Sequence, residues 1–290
     1  MESEKENGNV SVIREKAIRR VMGYRLLDDE FMKAVFRKNK PAATLVLRII
    51  LNKPDLVVES VDVEDREMNF IGRSVSVDIL AREKGRIYNI EIQRSDVGAI
   101  PRRARYHGSV IDVNELRKGT TFDRLPETYV IFITENDIFR KGLPVYSVER
   151  TVRETGEEFS DGLHIVYANG RYRGDDEMGR LMRDFSCTNA DDMSYNELAE
   201  RVRYLKETEE GIDSMSRTIE EFGKECEALG LEKGLASGRA EGHAEGLAEG
   251  ADRMASLGDL LLKKGRTEDL RRSFSDPAYR EQLFKEFGIA

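Results

Sequence analysis

Hydrophobic positions along the chain change their period several times, and each period predicts one type of element. Residues 25–50 carry apolar side chains at helical spacing after an acidic start, which favours a helix N-terminus. Strand-like patterns follow at Leu56–Val63, Ser74–Ala81 and Arg86–Gln93. The Lys84-Gly85 pair between the last two predicts a hairpin turn, so these two strands should be antiparallel neighbours.

The elements that follow complete a mixed α/β pattern. A helix is expected from about Asp96 to Leu116, and Glu127–Thr134 is a continuous apolar run typical of a strand covered on both faces. The segments LPVYSVERTV and GLHIVYANG predict two further strands, which either extend the sheet or form a hairpin. The order helix, three strands, helix, strand therefore predicts an α/β fold with a mixed sheet.

The periodicity divides the chain into four parts. A polar extension at residues 1–24 precedes an α/β domain at residues 25–170. Apolar residues then recur every three or four positions, which predicts a helical extension at residues 171–207. Residues 208–290 form an acidic tail with further short helices.

Glycine recurs every four residues in this tail, at positions 230, 234, 238, 242, 246 and 250. Four residues advance a helix by about 400°, so the glycines would form a slowly rotating stripe. Because each glycine costs a helix interior roughly 1 kcal/mol, two interpretations stay open. The stripe packs closely against a partner chain and makes a homo-oligomer, or the tail is a low-complexity, partly disordered segment. The glutamates between the glycines argue against a membrane helix.

Composition narrows the class of protein. The 290 residues are 39% hydrophobic and 35% charged, and no window approaches the roughly 18 consecutive apolar residues of a membrane span. The polar, acidic start is unlike a signal peptide, and Cys187 and Cys226 lie far apart, so we expect a cytoplasmic protein with reduced thiols. A net charge of -8 argues against a general nucleic-acid coat but is compatible with a local basic patch.

The stretch YNIEIQRS carries the candidate chemistry. Glu91 and Gln93 point away from the apolar side of their strand, so their face is either a wet surface or part of a site. If the turn is tight, residues whose numbers sum to about 169 pair across the hairpin, which places Asp78 opposite Glu91, within about 5 Å at Cβ. Like charges in this arrangement destabilise a sheet unless a cation lies between them, and Mg²⁺ prefers carboxylate and carbonyl oxygens.

The spacing of these residues resembles a known family. Asp78, twelve residues and then Glu-x-Gln occur together with LDDEFMKAVF, GRSVSVDILA, RRARYHGSVID, ETYVIFITENDIF, FSDGLHIVYANG and the Glu-Gly repeats. This pattern, from about residue 24 onward, resembles the PD-(D/E)xK nuclease superfamily and, more narrowly, the Rpn family of recombination-promoting nucleases and transposases. The resemblance implies a restriction-endonuclease-like core and a DNA endonuclease of low sequence specificity that uses Mg²⁺, with Mn²⁺ as a substitute. It also implies a link to transposition, recombination or phage defence.

The resemblance further implies roles for single residues. Asp78 and Glu91 would be metal ligands, the carbonyl of Ile92 would add an oxygen, and Asp29 or its neighbour Asp28 would complete the site. Gln93 stands where the superfamily motif has a lysine. A lysine can stabilise developing negative charge, whereas a glutamine can only orient water through hydrogen bonds, so more of the catalysis would depend on the metal.

The helix after the site is basic. Residues 94–118 contain six basic and three acidic side chains in a chain of net charge -8. Arg94, Arg102, Arg103 and Arg105 are the candidates for DNA-phosphate contacts, and Arg102 and Arg105 share one helix face. Such contacts would be directed at the backbone and sensitive to salt, with little sequence specificity. The alternative is a solvated helix with ordinary surface arginines.

Two other functions stay open. The chain could be a catalytically weak DNA-binding or regulatory protein that assembles through its tail. The tail alone could also be the functional part, as an oligomerisation module.

Overall fold

A computed structural model describes residue 15 and residues 18–67 and 75–289. Most of the predicted polar extension at residues 1–24, and Ser74 of the second predicted strand, lie outside the described residues. The chain divides into two compact units, Met1–Glu220 and Glu221–Ala290. Each unit is described by itself.

The first unit contains a six-stranded mixed sheet. Its strands are β1 (Ser60–Glu67), β2 (Val75–Glu83), β3 (Arg86–Gln93), β4 (Glu127–Thr134), β5 (Val145–Val148) and β6 (Leu163–Asn169). Their order across the sheet is β1-β2-β3-β4-β6-β5. The first three strands are antiparallel, β3, β4 and β6 run parallel, and β5 pairs antiparallel with β6 at the edge. The predicted α/β class and restriction-endonuclease-like order are confirmed.

The helices alternate with these strands along the chain and then follow them in sequence. Their bounds are α1 (Asp29–Phe36), α2 (Lys40–Leu51), α3 (Pro101–Glu115), α4 (Glu177–Ser186), α5 (Asn196–Glu207), α6 (Glu209–Lys263), α7 (Thr267–Ser275) and α8 (Pro277–Phe287). No helix among the described residues is long and apolar enough to cross a membrane.

The helix expected over residues 25–50 is two helices. Lys38 adopts a left-handed backbone with φ of 55°, and the Asn39 side chain caps α2 by accepting a hydrogen bond from the Ala42 N–H. Pro41 lies in the first turn of α2, where its missing N–H costs nothing, but it could not lie inside a longer helix. The chain therefore turns between α1 and α2.

The other boundaries differ for local reasons. β3 and β4 have the predicted bounds, but β1 begins at Ser60, because the preceding residues bond to α2: Val58 N–H donates to the Thr44 hydroxyl over 3.2 Å. The helix predicted from Asp96 is a 3₁₀ turn at Asp96–Ala99 followed by α3. Ile100 separates them in an extended conformation, as the residue before a proline prefers.

The core lies on both faces of the central strands. On one face, Tyr88, Ile90 and Ile92 of β3 belong to the main hydrophobic cluster, which also contains residues of α1 and α2. On the other face, Asn89 and Glu91 are fully buried. The polar face of β3 is therefore not a wet surface.

Helices α4 and α5 complete the same core. Leu181 and Phe185 of α4 and Leu198 and Val202 of α5 are fully buried in the main cluster. The Phe185 carbonyl also accepts a hydrogen bond from Leu27 N–H, 3.2 Å away. The helical extension is thus part of the first compact unit.

The glycine repeat lies within α6, so the structure has this segment as a helix. A Cβ added at any of the six repeat glycines would meet no atom within 4 Å. The stripe is therefore open to a partner chain, and its use in oligomerisation stays a prediction. In the second unit, Leu257 and Leu261 of α6 form a small core with Leu283 and Phe284 of α8.

Lys206 of α5 bonds the helical extension to the segment before α1, and its substitution tests how much this contact stabilises the fold. Its buried ammonium donates hydrogen bonds to the carbonyls of Met22, Tyr24 and Thr188 at 3.1, 2.6 and 2.6 Å. Burial lowers the pKa of Lys206 to about 8. Lys206→Met is expected to lower the free energy of unfolding by about 2 kcal/mol near neutral pH, because it leaves buried carbonyls without donors.

The pH dependence of this effect has a defined sign. The unfolded chain holds the Lys206 proton up to a pKa of about 10.4, whereas the folded chain releases it near pH 8. The Lys206 contribution to wild-type stability therefore rises with pH between these values. Urea unfolding of wild type, Lys206→Met and the exposed control Lys118→Met measures it. The same pH slope in all three proteins would contradict the assignment.

Candidate active site

The candidate site lies where β2 and β3 separate. Their pairing runs from Glu83↔Arg86 to Ile79↔Ile90, so paired residues sum to 169 as predicted. Asp78 follows directly. Its N–H donates to Glu91 Oε1 over 3.2 Å, and Ile92 N–H donates to Asp78 Oδ2 over 3.3 Å. The backbone of each strand thus holds the carboxylate of the other.

Regular alternation along β2 would place Val77 and Ile79 on the same face of the sheet, but the structure departs from it next to Asp78. Ile79 is buried in the main core, but Val77 packs with Leu80 in a separate cluster that contains residues of α3. Two apolar residues on either side of Asp78 thus lie in different clusters. In this setting the Asp78 carboxylate reaches helix α1, where Lys33 Nζ is 3.6 Å from Asp78 Oδ1.

Helix α1 contributes one carboxylate, that of Asp29, and one ammonium group, that of Lys33, to the site. Asp29 is the first residue of α1, and its Oδ2 accepts a hydrogen bond from Lys33 Nζ at 2.9 Å. The other oxygen of Asp29 is buried without a hydrogen-bond partner. The Lys33 side chain is only 12% exposed. One cation therefore lies beside two carboxylates, those of Asp29 and Asp78.

Asp28 has other partners. Its Oδ2 accepts from the Arg25 N–H, and its Oδ1 accepts from Arg94 Nη1, both at 2.8 Å. Arg94 also donates to Glu135 over 3.2 Å. The structure therefore brings Asp29 close to Asp78 and commits Asp28 to a neighbouring ion-pair network.

The acids of the site repel one another. The pKa of Asp78 is raised well above its usual value by burial, then by the charges of Glu91 and Asp29, while Lys33 acts in the opposite direction. Protein groups alone thus leave the ionised form of Asp78 unfavourable.

Helix α3 covers Glu91 from the other side. Glu91 is fully buried, and Arg103 Nη2 lies 3.3 Å from its Oε2, while His107 Nδ1 lies 3.4 Å from its Oε1. The side-chain amide of Asn89 is 3.0 Å from the same histidine nitrogen. Glu91 is therefore oriented by one strand and one helix.

Gln93 is half-buried at the end of β3. Its Oε1 is 3.5 Å from Arg103 Nη1. A Cβ added at Gly98 would lie only 1.7 Å from this oxygen. The absence of a side chain at residue 98 thus makes room for the Gln93 amide.

Comparison with known protein families agrees with this geometry. Residues 29–170 match the family model described as PD-(D/E)XK nuclease family transposase. The domain at residues 29–170 belongs to this family. Searches of curated proteins and of solved structures gave no match.

The match confirms the resemblance seen in the sequence. Its first residue is Asp29, at the start of α1, and its last follows β6. The transposase-family domain therefore contains Asp78, Glu91, Gln93 and the whole sheet, while α4 and α5 lie beyond it.

The four arginines predicted to contact DNA phosphates divide into an exposed pair and a pair that binds other side chains of this transposase-family domain. Arg102 and Arg105 are exposed on α3, and the structure gives their side chains no polar partner within its described residues. Arg103 turns inward to Glu91 and Gln93. Arg94 pairs with Asp28 and Glu135. Of the four predicted phosphate contacts, only Arg102 and Arg105 are placed with uncommitted charge.

The chemistry of the site fits a hard divalent cation. When all three are ionised, the carboxylates of Asp29, Asp78 and Glu91 exceed the positive charges of Lys33 and Arg103 by one, an excess that a bound cation would offset. One Asp29 oxygen is buried and unpartnered, and carboxylate oxygens are what Mg²⁺ and Mn²⁺ prefer. In the described part of the chain, no group of three potential ligands is already arranged around a metal position, because Glu91 faces Arg103 and His107.

Sequence reasoning missed Lys33, Gly98 and also His107, which contacts Glu91 from α3. Lys33 follows Asp29 by four positions, so both lie on one face of α1, and this spacing was a usable signal. Gly98 had no such signal, because its contact with Gln93 depends on the 3₁₀ turn before α3.

Proposed function

We propose that this protein is a divalent-metal-dependent DNA endonuclease of low sequence specificity that acts in transposition, recombination or phage defence. The observation that carries the proposal is the convergence of Asp29, Asp78 and Glu91 where β2 and β3 separate, in a domain of a nuclease family. Asp78 and Glu91, with the Ile92 carbonyl and Asp29, are the proposed ligands of Mg²⁺ or Mn²⁺. When bound, such an ion polarises the phosphodiester and acidifies a neighbouring water.

The protein groups around the proposed ligands have separate tasks. Lys33 supplies positive charge next to Asp78, at a site where Gln93 is neutral. Gln93 orients water through its amide, in the space that Gly98 leaves. Arg103 and His107 hold Glu91 in place. Both helices therefore support the two strands that carry the acids.

Arg102 and Arg105 are the proposed contacts to the DNA backbone. Both are exposed on α3, directly after the strand that carries Glu91. Contacts to phosphate oxygens position DNA without reading its bases, which accounts for the proposed low specificity.

Removal of the metal tests the proposal. We expect purified protein to nick supercoiled plasmid with Mg²⁺ or Mn²⁺, to lose this activity in EDTA, and to regain it when excess Mg²⁺ is added. Binding should also raise the melting temperature in the presence of the ion, because a ligand of the folded state alone stabilises it. Nicking at full rate in EDTA would contradict the metal requirement.

A second candidate is a catalytically weak DNA-binding or regulatory protein. It is favoured by the neutral Gln93 and by the engagement of Glu91 with Arg103 and His107. Salt-sensitive DNA binding without nicking under any divalent ion would support it. In either case we propose homo-oligomerisation through the open glycine stripe of α6.

A further inference from the structure

A second basic feature lies at the carboxyl ends of β4 and β6. The loops that follow these strands enclose an open cleft of about 800 Å³, hereafter the β4–β6 cleft. Its lining includes Arg140, Arg171 and Arg173, together with Asp137. Three arginines thus face one carboxylate in a chain whose net charge is -8.

Two of these arginines have uncommitted charge. Arg140 and Arg171 are exposed, and their guanidinium groups form no ion pair or hydrogen bond with any residue the structure describes. Free guanidinium groups at the mouth of a cleft are suited to an anionic ligand with several oxygens.

The third arginine is fixed in position. Arg173 donates to the carbonyls of Gly170 and Tyr172 at 2.6 and 2.8 Å and to the Ser186 hydroxyl at 2.7 Å. All of these partners are neutral, so the positive charge is oriented but not offset. Partial burial lowers the pKa of Arg173, and the nearby guanidinium groups of Arg183 and Arg171 lower it further.

Asp137, the one carboxylate among the described lining residues, accepts hydrogen bonds from its own loop. Asp137 accepts hydrogen bonds from the N–H groups of Arg140 and Gly142 at 3.0 and 2.7 Å, and from the Tyr146 hydroxyl at 2.8 Å. These bonds hold the loop after β4 and lower the pKa of Asp137. Asp137 therefore shapes the cleft and stays ionised, so three arginines and one carboxylate leave the described lining with two positive charges in excess.

The β4–β6 cleft lies on the same sheet edge as the candidate active site. In the parallel register, Gln93 is level with Thr134, and Thr134 is level with Asn169. Glu135 N–H donates to the Gln93 carbonyl over 3.0 Å, and Gly170 N–H donates to the Thr134 carbonyl over 2.7 Å. Two strand spacings of about 4.8 Å put the cleft about 10 Å or more from Gln93, which is about three nucleotides at 3.4 Å each.

We propose that the β4–β6 cleft binds a phosphate of the nucleic-acid backbone, a few nucleotides away from the phosphodiester held at Asp78 and Glu91. This proposal rests on the proposed nuclease function. In this arrangement the nucleic-acid strand runs along the carboxyl ends of β3, β4 and β6. The guanidinium groups of Arg140, Arg171 and Arg173 then contact its phosphate oxygens without reading bases.

The test removes the two uncommitted charges. Affinity for DNA is measured in EDTA, so that no cleavage occurs, with Arg140→Gln/Arg171→Gln and with a matched control. The control, Arg117→Gln/Arg153→Gln, removes two exposed arginines, after α3 and after β5, toward the opposite edge of the sheet. Because Arg140 and Arg171 have no side-chain partners among the described residues, the variant should keep the wild-type melting temperature.

The expected result is specific to the cleft variant and depends on salt. For a duplex of about 30 base pairs, Arg140→Gln/Arg171→Gln should raise Kd about tenfold and reduce the slope of log Kd against log salt by about 1.8, since each lost phosphate contact accounts for about 0.9. The control should change Kd by less than about twofold.

Two outcomes would overturn the proposal. The first is that the 30-base-pair affinity and its salt slope are the same in the cleft variant and the control. The second is that the cleft variant loses binding of inorganic phosphate in calorimetry but keeps wild-type affinity for DNA, which would assign the cleft to a free phosphate. Plasmid cleavage is measured separately: failure of the wild type to cleave counts against the nuclease function, and unchanged DNA binding with intact cleavage counts against the cleft alone.

Discussion

Asp78→Asn is expected to abolish plasmid nicking, with a fall in kcat of at least about 10³-fold, or about 4 kcal/mol of transition-state stabilisation. Asparagine keeps the shape of the side chain and the backbone N–H that donates to Glu91. It removes the charge that the proposed metal site requires. The measurement is Mg²⁺-dependent nicking of supercoiled plasmid, with the exposed Asp62→Asn as the control, which should keep wild-type activity.

The same variant should be more stable than the wild type when metal is removed. Asp78 is buried beside Glu91 and Asp29, and its pKa is raised in the folded protein. A group of this kind stabilises the fold below its unfolded pKa of about 3.9 and loses that contribution as pH rises through the folded value. Urea unfolding in EDTA should therefore show a steeper decline with rising pH for the wild type than for Asp78→Asn.

These two measurements separate chemistry from folding. Loss of nicking with equal or higher stability supports a catalytic role of the Asp78 carboxylate. Nicking that survives in Asp78→Asn would refute the assignment of the active site, and loss of nicking by an unfolded variant would be recognised from the unfolding curves.

Lys33→Met is expected to lower kcat about 10²-fold, because Lys33 provides positive charge at a site where Gln93 provides none. Methionine keeps much of the apolar stem, so the change removes mainly the ammonium group. Asp29 and Asp78 then lose their shared cation, and we expect the free energy of unfolding to fall by about 3 kcal/mol in EDTA.

A second substitution makes this prediction specific. If the ammonium group is what the reaction needs, Gln93→Lys in the Lys33→Met background should restore at least about tenfold in kcat. Lys40→Met, an exposed lysine at the start of α2, serves as the control. Wild-type kcat in Lys33→Met, or no recovery in the double variant despite a folded protein, would show that Lys33 is only structural.

Sequence predicted best where local pattern decides the structure. The alternating side chains of β3 and the tight turn at Gly85, with φ of 74°, fix the register that brings Asp78 next to Glu91. The continuous apolar run of β4 likewise predicted a central strand, and β4 lies between β3 and β6. In these cases the residues that determine the element lie within the element.

Prediction was weaker where partners come from distant parts of the chain. Asp28 and Asp29 are neighbours with the same charge, and what separates them is Arg94, 66 residues from Asp28. The same ion pair takes Arg94 away from the predicted phosphate contacts. The break between α1 and α2 was a different failure, since Pro41 was visible in the sequence but the helical period across it was followed instead.

The burial of α4 and α5 in the sheet's own core has a consequence for modularity. A fragment ending at residue 170, where the family match ends, would expose the surface that Leu181, Phe185, Leu198 and Val202 cover. The first turns of α6 belong to the same core through the fully buried Met215, so the smallest segment that could be exchanged between proteins as a unit runs to about Glu220. A fusion joined at residue 170 would inherit an open core, whereas one joined within α6 after Glu220 would leave the transposase-family domain with its core intact and free to acquire tails of different length and repeat.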